Sequence, residues 1–295
     1  MPRFGRVLTA MATPFAPDGS LDAKAAAELA RWLVDHGNDG LVVAGTTGES
    51  AVLTDEERIE LLRAVRAAVD VPIVAGTTTN DTAHSVALTE AAAEVGVDAI
   101  LAVTPYYNKP PQSGLRLHFE AVAAASDLPV MLYDVPGRTG REIATDTIVG
   151  LANDVPTIVA LKDAGGHPER TEGLLAACPA GFEVYSGDEP LTLAFLAHGA
   201  VGVVGVATHW TAPFQADMFF AYEAGDTAGA RTINTRLQAS YAYMNSDTCV
   251  FSQAVKVMMA ELGQSIGACR LPLGPAPDDT AERARVVARD LRLLV

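Results

Sequence analysis

Residues 40–69 read GLVVAGTTGESAVLTDEERIELLRAVRAAV, and this stretch holds one complete strand–loop–helix unit. Gly40–Ala44 is short, apolar and rich in β-branched side chains, as a strand buried on both faces must be. Gly45-Thr46-Thr47-Gly48-Glu49-Ser50 follows as a turn of small and hydroxylated residues. Thr54-Asp55-Glu56-Glu57 is a capping-box pattern: Thr54 can accept from the backbone while Glu57 reaches back to the cap. Behind it, Ile59, Leu62, Val65 and Val69 recur at the spacing of one helix face.

The same unit recurs along the chain. Strands are expected at Val7–Thr13, Gly40–Ala44, Pro72–Gly76, Ala99–Val103, Pro129–Tyr133, Thr157–Lys162, Glu183–Ser186 and Val201–Val206, eight in all. Leu21 or Asp22 opens the first helix, and Asn80 or Asp81 caps the helix after the third strand. Eight alternating units predict an α/β fold, a (β/α)8 TIM barrel. The competing open, doubly wound sheet normally carries a glycine-rich phosphate turn after its first strand, and that turn is missing. The strand pattern stops near Val206. From about Gly225 only helices are expected, at Asp226–Met244, Cys249–Leu262 and Asp278–Leu294. The chain therefore divides into a catalytic barrel over residues 1–224 and a C-terminal helical extension over 225–295.

Composition narrows the function. The chain has 295 residues, 49% of them hydrophobic, which is enough for a large core. Its 21 basic and 36 acidic side chains give a net charge of −15, which argues against a nucleic-acid or anionic-membrane partner. No apolar run approaches the roughly 18 residues of a membrane span, and no cleavable signal is read at the N-terminus. Cys178, Cys249 and Cys269 have neither disulfide-framework nor metal-ligand spacing, so a cytoplasmic location is expected. None of the six histidines falls in an H-x-H or H-E-x-x-H pattern, so no metal is expected.

Barrel enzymes carry their chemistry at the carboxyl ends of the strands. The sixth strand ends in Lys162-Asp163 after Thr157-Ile158-Val159-Ala160-Leu161, so the lysine stem leaves a buried apolar strand. Desolvation disfavours the ammonium form, and a neutral amine can form an imine with a ketone. Tyr133 ends the neighbouring strand, and imine formation needs protons delivered and removed, which a phenol can do. Thr46 and Tyr107 supply hydroxyls suited to a proton relay. Arg138, on the fifth loop, has the planar fork that matches a carboxylate. Gly187 and Val204 can present backbone groups to a keto acid. Taken singly, Lys162 reads as a strand-end lysine reaching solvent, and Arg138 as a surface ion-pair partner. The Gly48-Glu49-Ser50 turn reads as structural.

Together these strand ends resemble the dihydrodipicolinate synthase family, its actinobacterial members above all. The resemblance runs from Leu8-Thr9-Ala10-Met11-Ala12-Thr13-Pro14-Phe15 to the helical tail. It includes Tyr133-x-x-Pro136-x-Arg138-Thr139-Gly140 and the Tyr106-Tyr107 pair. It implies condensation of pyruvate with L-aspartate 4-semialdehyde, in diaminopimelate and lysine synthesis, without a metal or organic cofactor. By the same resemblance, Lys162 is the Schiff-base lysine and Tyr133 the proton donor and acceptor. Thr46 and Tyr107 complete the relay, Tyr107 arriving from a neighbouring subunit. Thr47 and Val204 contact pyruvate, Arg138 holds the semialdehyde carboxylate, and the assembly is a homotetramer built as a dimer of dimers. Lysine-inhibited bacterial members carry histidines where this chain has Asp55 and Arg58, and a glutamate where it has His84, so weak or absent inhibition by lysine is expected. The alternatives are another pyruvate-dependent aldolase similar to N-acetylneuraminate lyase, and a non-catalytic barrel that binds a keto acid.

Overall fold

Backbone ladders form where the apolar runs lie. In the computed structural model, which describes residues 1–246 and 248–294, β1 is Val7–Ala10, β2 Gly40–Val43, β3 Ile73–Gly76 and β4 Ala99–Val103. They are followed by β5 Val130–Asp134, β6 Ile158–Asp163, β7 Glu183–Ser186 and β8 Gly202–Gly205. The strands hydrogen-bond in sequence order as a closed barrel, the fold expected of eight alternating units. The first strand is shorter than its apolar run. Met11 N–H still donates to Val42 O, but Ala12 N–H turns to His209 Nε2 and the Thr13 hydroxyl to Gly48 O, so side chains end the ladder there.

The helices are α1 Ala23–Asp35, α2 Asp55–Arg66, α3 Thr82–Val95, α4 Gln112–Ala123, α5 Pro136–Thr139 and α6 Thr145–Asp154. They continue as α7 Arg170–Ala177, α8 Thr192–Ala197, α9 Thr208–Glu223, α10 Thr227–Met244, α11 Phe251–Glu261 and α12 Thr280–Asp290. The last three occupy the stretch expected to be helical, whose Asp247 and Val295 lie outside the described residues. Asp22 caps α1 and Asp81 caps α3, each accepting from an amide three residues on. At α2 the capping box is complete, with Glu57 N–H to Thr54 Oγ1 at 3.2 Å and Thr54 N–H to Glu57 Oε2 at 3.0 Å. Such caps satisfy amides that the helix leaves open, each contributing about 1 kcal/mol. Among the described residues no helix is long and apolar enough to cross a membrane.

Two compact units make up the chain, Met1–Arg6 with Pro72–Val204, and Val7–Val71 with Gly205–Val295. Within the second, Thr9 Oγ1 bonds both Asn38 Oδ1 and Thr208 Oγ1, so a buried polar chain links β1 to the start of α9. Glu49, in a left-handed turn after β2, forms a 2.8 Å ion pair with Lys256 of α11 and accepts from Arg270 N–H. Both charges are buried, which makes the Gly48-Glu49-Ser50 turn a fixed point of this unit.

Within the first unit, β4, β5, β6 and β7 pair in parallel. The β5–β6 ladder contains one irregularity. Val130 pairs with Ile158 but Met131 pairs with Ala160, leaving Val159 as an extra residue. Past that bulge, Tyr133 stands opposite Lys162 and Asp134 opposite Asp163. An unbroken ladder would have set Tyr133 opposite Leu161.

Candidate active site

Lys162 is the fifth residue of β6, reached through Ile158-Val159-Ala160-Leu161, and only 5% of it is exposed. Its Nζ lies 4.1 Å from the centroid of the Tyr133 ring. Burial lowers the amine from its ordinary value to about 7; the Glu189 carboxylate works against that fall and the Arg138 guanidinium adds to it. Near neutral pH a large fraction of Lys162 is therefore the free amine, the form that attacks a carbonyl.

Tyr133 is 6% exposed. Its carbonyl accepts from both the amide and the hydroxyl of Thr104, at 3.1 and 3.2 Å, which fixes the end of β5. The chain then turns into α5, so Arg138 sits in a short helix rather than an open loop. Thr139 Oγ1 donates to Val135 O and Arg141 O, and Gly140 closes the turn at a φ of 70°. Arg138 keeps exposed surface, yet burial of its guanidinium pulls its pKa down while Tyr133 holds it up.

Gly187 follows β7 and donates its N–H to Asp163 O at 2.7 Å. A Cβ at this position would lie 3.0 Å from Lys162 Cγ, so the missing side chain is what leaves room for the lysine stem. Glu189, just beyond, is buried and its charge acts on the Lys162 amine. Behind the strand ends, Arg170 at the start of α7 joins Asp134 and Asp163, each at 2.7 Å.

The first unit thus brings Lys162 and Tyr133 into contact, with Gly187 against the lysine stem and the charge of Arg138 acting on both. Val204 is buried in β8. Tyr107 is 89% exposed at a φ of 74° on the loop after β4, so within this chain it is not packed into the lysine pocket. Thr46 and Thr47 follow β2 in the second unit, Thr47 buried and Thr46 partly exposed. Nothing in the residue pattern singled out Glu189 or Arg170. The available signal was the pair of carboxylates, Asp134 and Asp163, each closing a buried strand where a cation must be near.

The arrangement suits imine chemistry: a neutral amine, a phenol, and a cationic fork whose charge reaches both. Among the described residues no cluster of three or more His, Cys, Asp or Glu is placed to hold a metal ion.

Comparison with known proteins identifies the family. The family model described as the dihydrodipicolinate synthetase family matches residues 3–290. A 4-hydroxy-tetrahydrodipicolinate synthase of Parasynechococcus marenigrum is 47% identical, over 94% of this chain and 91% of that relative. The dihydrodipicolinate synthase structure from Cyanidioschyzon merolae with lysine bound is 39% identical, with a TM-score of 0.96 and all of both chains covered. The chloride-inhibited dihydrodipicolinate synthase of Acinetobacter baumannii, complexed with pyruvate, is 34% identical, with a TM-score of 0.91 over 99% of this chain and all of that one. With a whole-length family match, extensive identity and the same barrel, this chain belongs to the dihydrodipicolinate synthetase family.

Proposed function

We infer that the chain catalyses the 4-hydroxy-tetrahydrodipicolinate synthase reaction, the condensation of pyruvate with L-aspartate 4-semialdehyde in diaminopimelate and lysine synthesis. The observation that carries this reading is a buried amine with a pKa of about 7, set 4.1 Å from the Tyr133 ring, in a chain of this family.

In this reading the Lys162 amine adds to C2 of pyruvate and water leaves, forming a protonated imine. The imine withdraws electrons, so C3 loses a proton and becomes an enamine. The enamine carbon attacks the aldehyde carbon of the semialdehyde, and the aldehyde oxygen takes up a proton. The semialdehyde amine then closes on the former C2 and displaces Lys162, restoring the free enzyme. Tyr133 passes protons at the carbinolamine and the aldehyde, with Thr46 and Tyr107 as its relay. Thr47, Gly187 and Val204 hold pyruvate, and the Arg138 fork binds the semialdehyde carboxylate. The chemistry needs neither a metal nor an organic cofactor.

The exposure of Tyr107 supports its donation to a neighbouring subunit, and with it a homotetramer built as a dimer of dimers. The barrel of 1–224 is the catalytic part, 225–295 is an accessory helical extension, and the protein works in the cytoplasm.

Borohydride reduction with pyruvate, followed by peptide mapping and a turnover assay with the semialdehyde, tests the reading. A pyruvate-derived adduct on Lys162 with turnover is expected. An adduct with turnover only of sugar-acid aldehydes moves the chain to another aldolase, and an unmodified Lys162 would falsify the imine mechanism.

A further inference from the structure

We propose that Arg170 is a positioning residue for the reaction at Lys162, a proposal that rests on the Schiff-base function inferred above. It acts by clamping together the ends of the two strands that carry the amine and the phenol. Arg170 opens α7, and its guanidinium spreads three ways. Nε donates to Asp163 Oδ2 at 2.7 Å, Nη2 to Asp134 Oδ2 at 2.7 Å, and Nη1 to Glu142 Oε1 at 2.9 Å. Asp134 and Asp163 are wholly buried, and each is the residue directly after a member of the reactive pair.

Successive side chains on a strand point to opposite faces. Asp134 and Asp163 therefore face α7 while Tyr133 and Lys162 meet on the other side. Arg170 does not act on the reacting atoms; it acts through the backbone.

The remaining oxygen of each aspartate shows what is held. Asp163 Oδ1 accepts from Gly165 N–H at 2.8 Å, tying down the turn that follows β6. Asp134 Oδ1 accepts from Ile143 N–H at 3.1 Å, closing the segment 135–143 that contains Arg138. Main-chain bonds complete the frame, from Ala164 N–H to Asp134 O at 2.9 Å and from Gly187 N–H to Asp163 O at 2.7 Å. One guanidinium thus joins the strand ends of Tyr133 and Lys162 and, through Asp134, the base of the Arg138 helix.

Stability alone does not account for this cluster. Two buried carboxylates against one largely covered guanidinium are costly to desolvate, and well-packed apolar residues are often as stable as such a group. A planar fork with fixed donor directions supplies orientation instead. Burial opposes the Arg170 charge, but hydrogen bonds and attraction from Asp163 and Asp134 outweigh it and raise its pKa. Lysine at this position would keep the charge but could not bridge both carboxylates in plane.

The test is the rate of imine formation at saturating pyruvate, read by rapid borohydride quench and mass spectrometry of the whole enzyme. Wild-type enzyme that gives no adduct on Lys162 sinks the Schiff-base function itself, whatever Arg170 does. With wild-type trapping in hand, Arg170→Lys is expected to slow imine formation at least about tenfold while the half-saturating pyruvate concentration stays within about threefold, since a misplacement near 1 Å costs up to about a hundredfold in rate. Leu237→Ala, a cavity in the buried face of α10, supplies a comparison in which melting temperature falls but imine formation stays near wild type. If Arg170→Lys does not fold, Asp134→Asn releases the β5 arm alone and is expected to show the same split with a smaller loss. Wild-type imine rates in the folded variant, or an equal slowing in Leu237→Ala, overturn the proposal.

Discussion

The amine of Lys162 sits 4.1 Å from the centre of the Tyr133 ring, and the two residues are register partners across β5 and β6. Two effects compete there. The ring face favours the protonated amine by about 0.5–2 kcal/mol, roughly one pKa unit. Burial disfavours it by up to about 3–5 units. Burial wins, and the amine falls to about 7. Because the neutral amine is the nucleophile, the initial rate of pyruvate-dependent trapping should rise with pH through about 7 and level off above it. Arg138→Met should move that rise to higher pH, since the guanidinium helps to lower the amine's pKa. It should also raise the KM for the semialdehyde far more than that for pyruvate. A flat trapping profile between pH 6 and 8 would count against the free-amine argument.

The same shift links to stability. Lys162 is held at about 7 in the fold against an ordinary 10.5, so between those values the unfolded chain binds more protons. Stability therefore increases with pH across that window, and the full penalty applies below about 7. Lys162→Met should be more stable than wild type at pH 6, by roughly 2–5 kcal/mol, with the gap closing towards pH 10. Urea midpoints of both proteins at the two pH values check this.

Removing the phenol hydroxyl separates chemistry from binding. Tyr133→Phe keeps the ring over which the amine lies, so the fold and the pyruvate KM should change little. Turnover should drop by about 10²–10⁴-fold, the usual loss for a proton-transfer group. A variant within threefold of wild-type kcat removes Tyr133 from the proton path.

Gly187→Ala tests the space around the lysine stem. Its methyl would sit 3.0 Å from Lys162 Cγ and 3.0 Å from Ala164 Cβ, tighter than side chains usually pack, so a neighbour has to give by a few tenths of an ångström. With the lysine stem displaced by that contact, imine formation should slow by about 10–100-fold. Unchanged trapping kinetics would show that the stem has slack.

Lysine should be a weak inhibitor. Asp55 and Arg58 begin α2, and Arg58 is buried with Nη2 donating to Ser50 O at 2.9 Å, so its guanidinium is engaged with the turn before the helix. His84, in the first turn of α3, brings no carboxylate for an amine. An inhibition curve with half-effect at low micromolar lysine would refute this; little effect below millimolar lysine is expected.

Much of this was legible in the residue order. Apolar runs located all eight strands because strands buried on both faces must be apolar throughout. Lys162 and Tyr133 stood out because a polar residue ending such a run faces a rim. Arg170 did not stand out, since its partners lie 36 and 7 residues away and only the packing of α7 brings them together. Glu189 was hidden likewise, because its burial follows from where the turn after β7 folds. Nor did any glycine or proline mark the bulge at Val159, which shows only in the register of β6 against β5.

That bulge makes the reactive pairing a matter of counting. From Val130–Ile158 onward, β6 spends one residue more than β5 before the amine meets the phenol. Conservative exchanges among Ile158, Val159 and Leu161 leave this tally intact. Losing or gaining a single residue between Val159 and Lys162 alters it, and presents an acid or an aliphatic chain where the amine belongs. β6 is thus forgiving about which apolar residues it contains and unforgiving about how many.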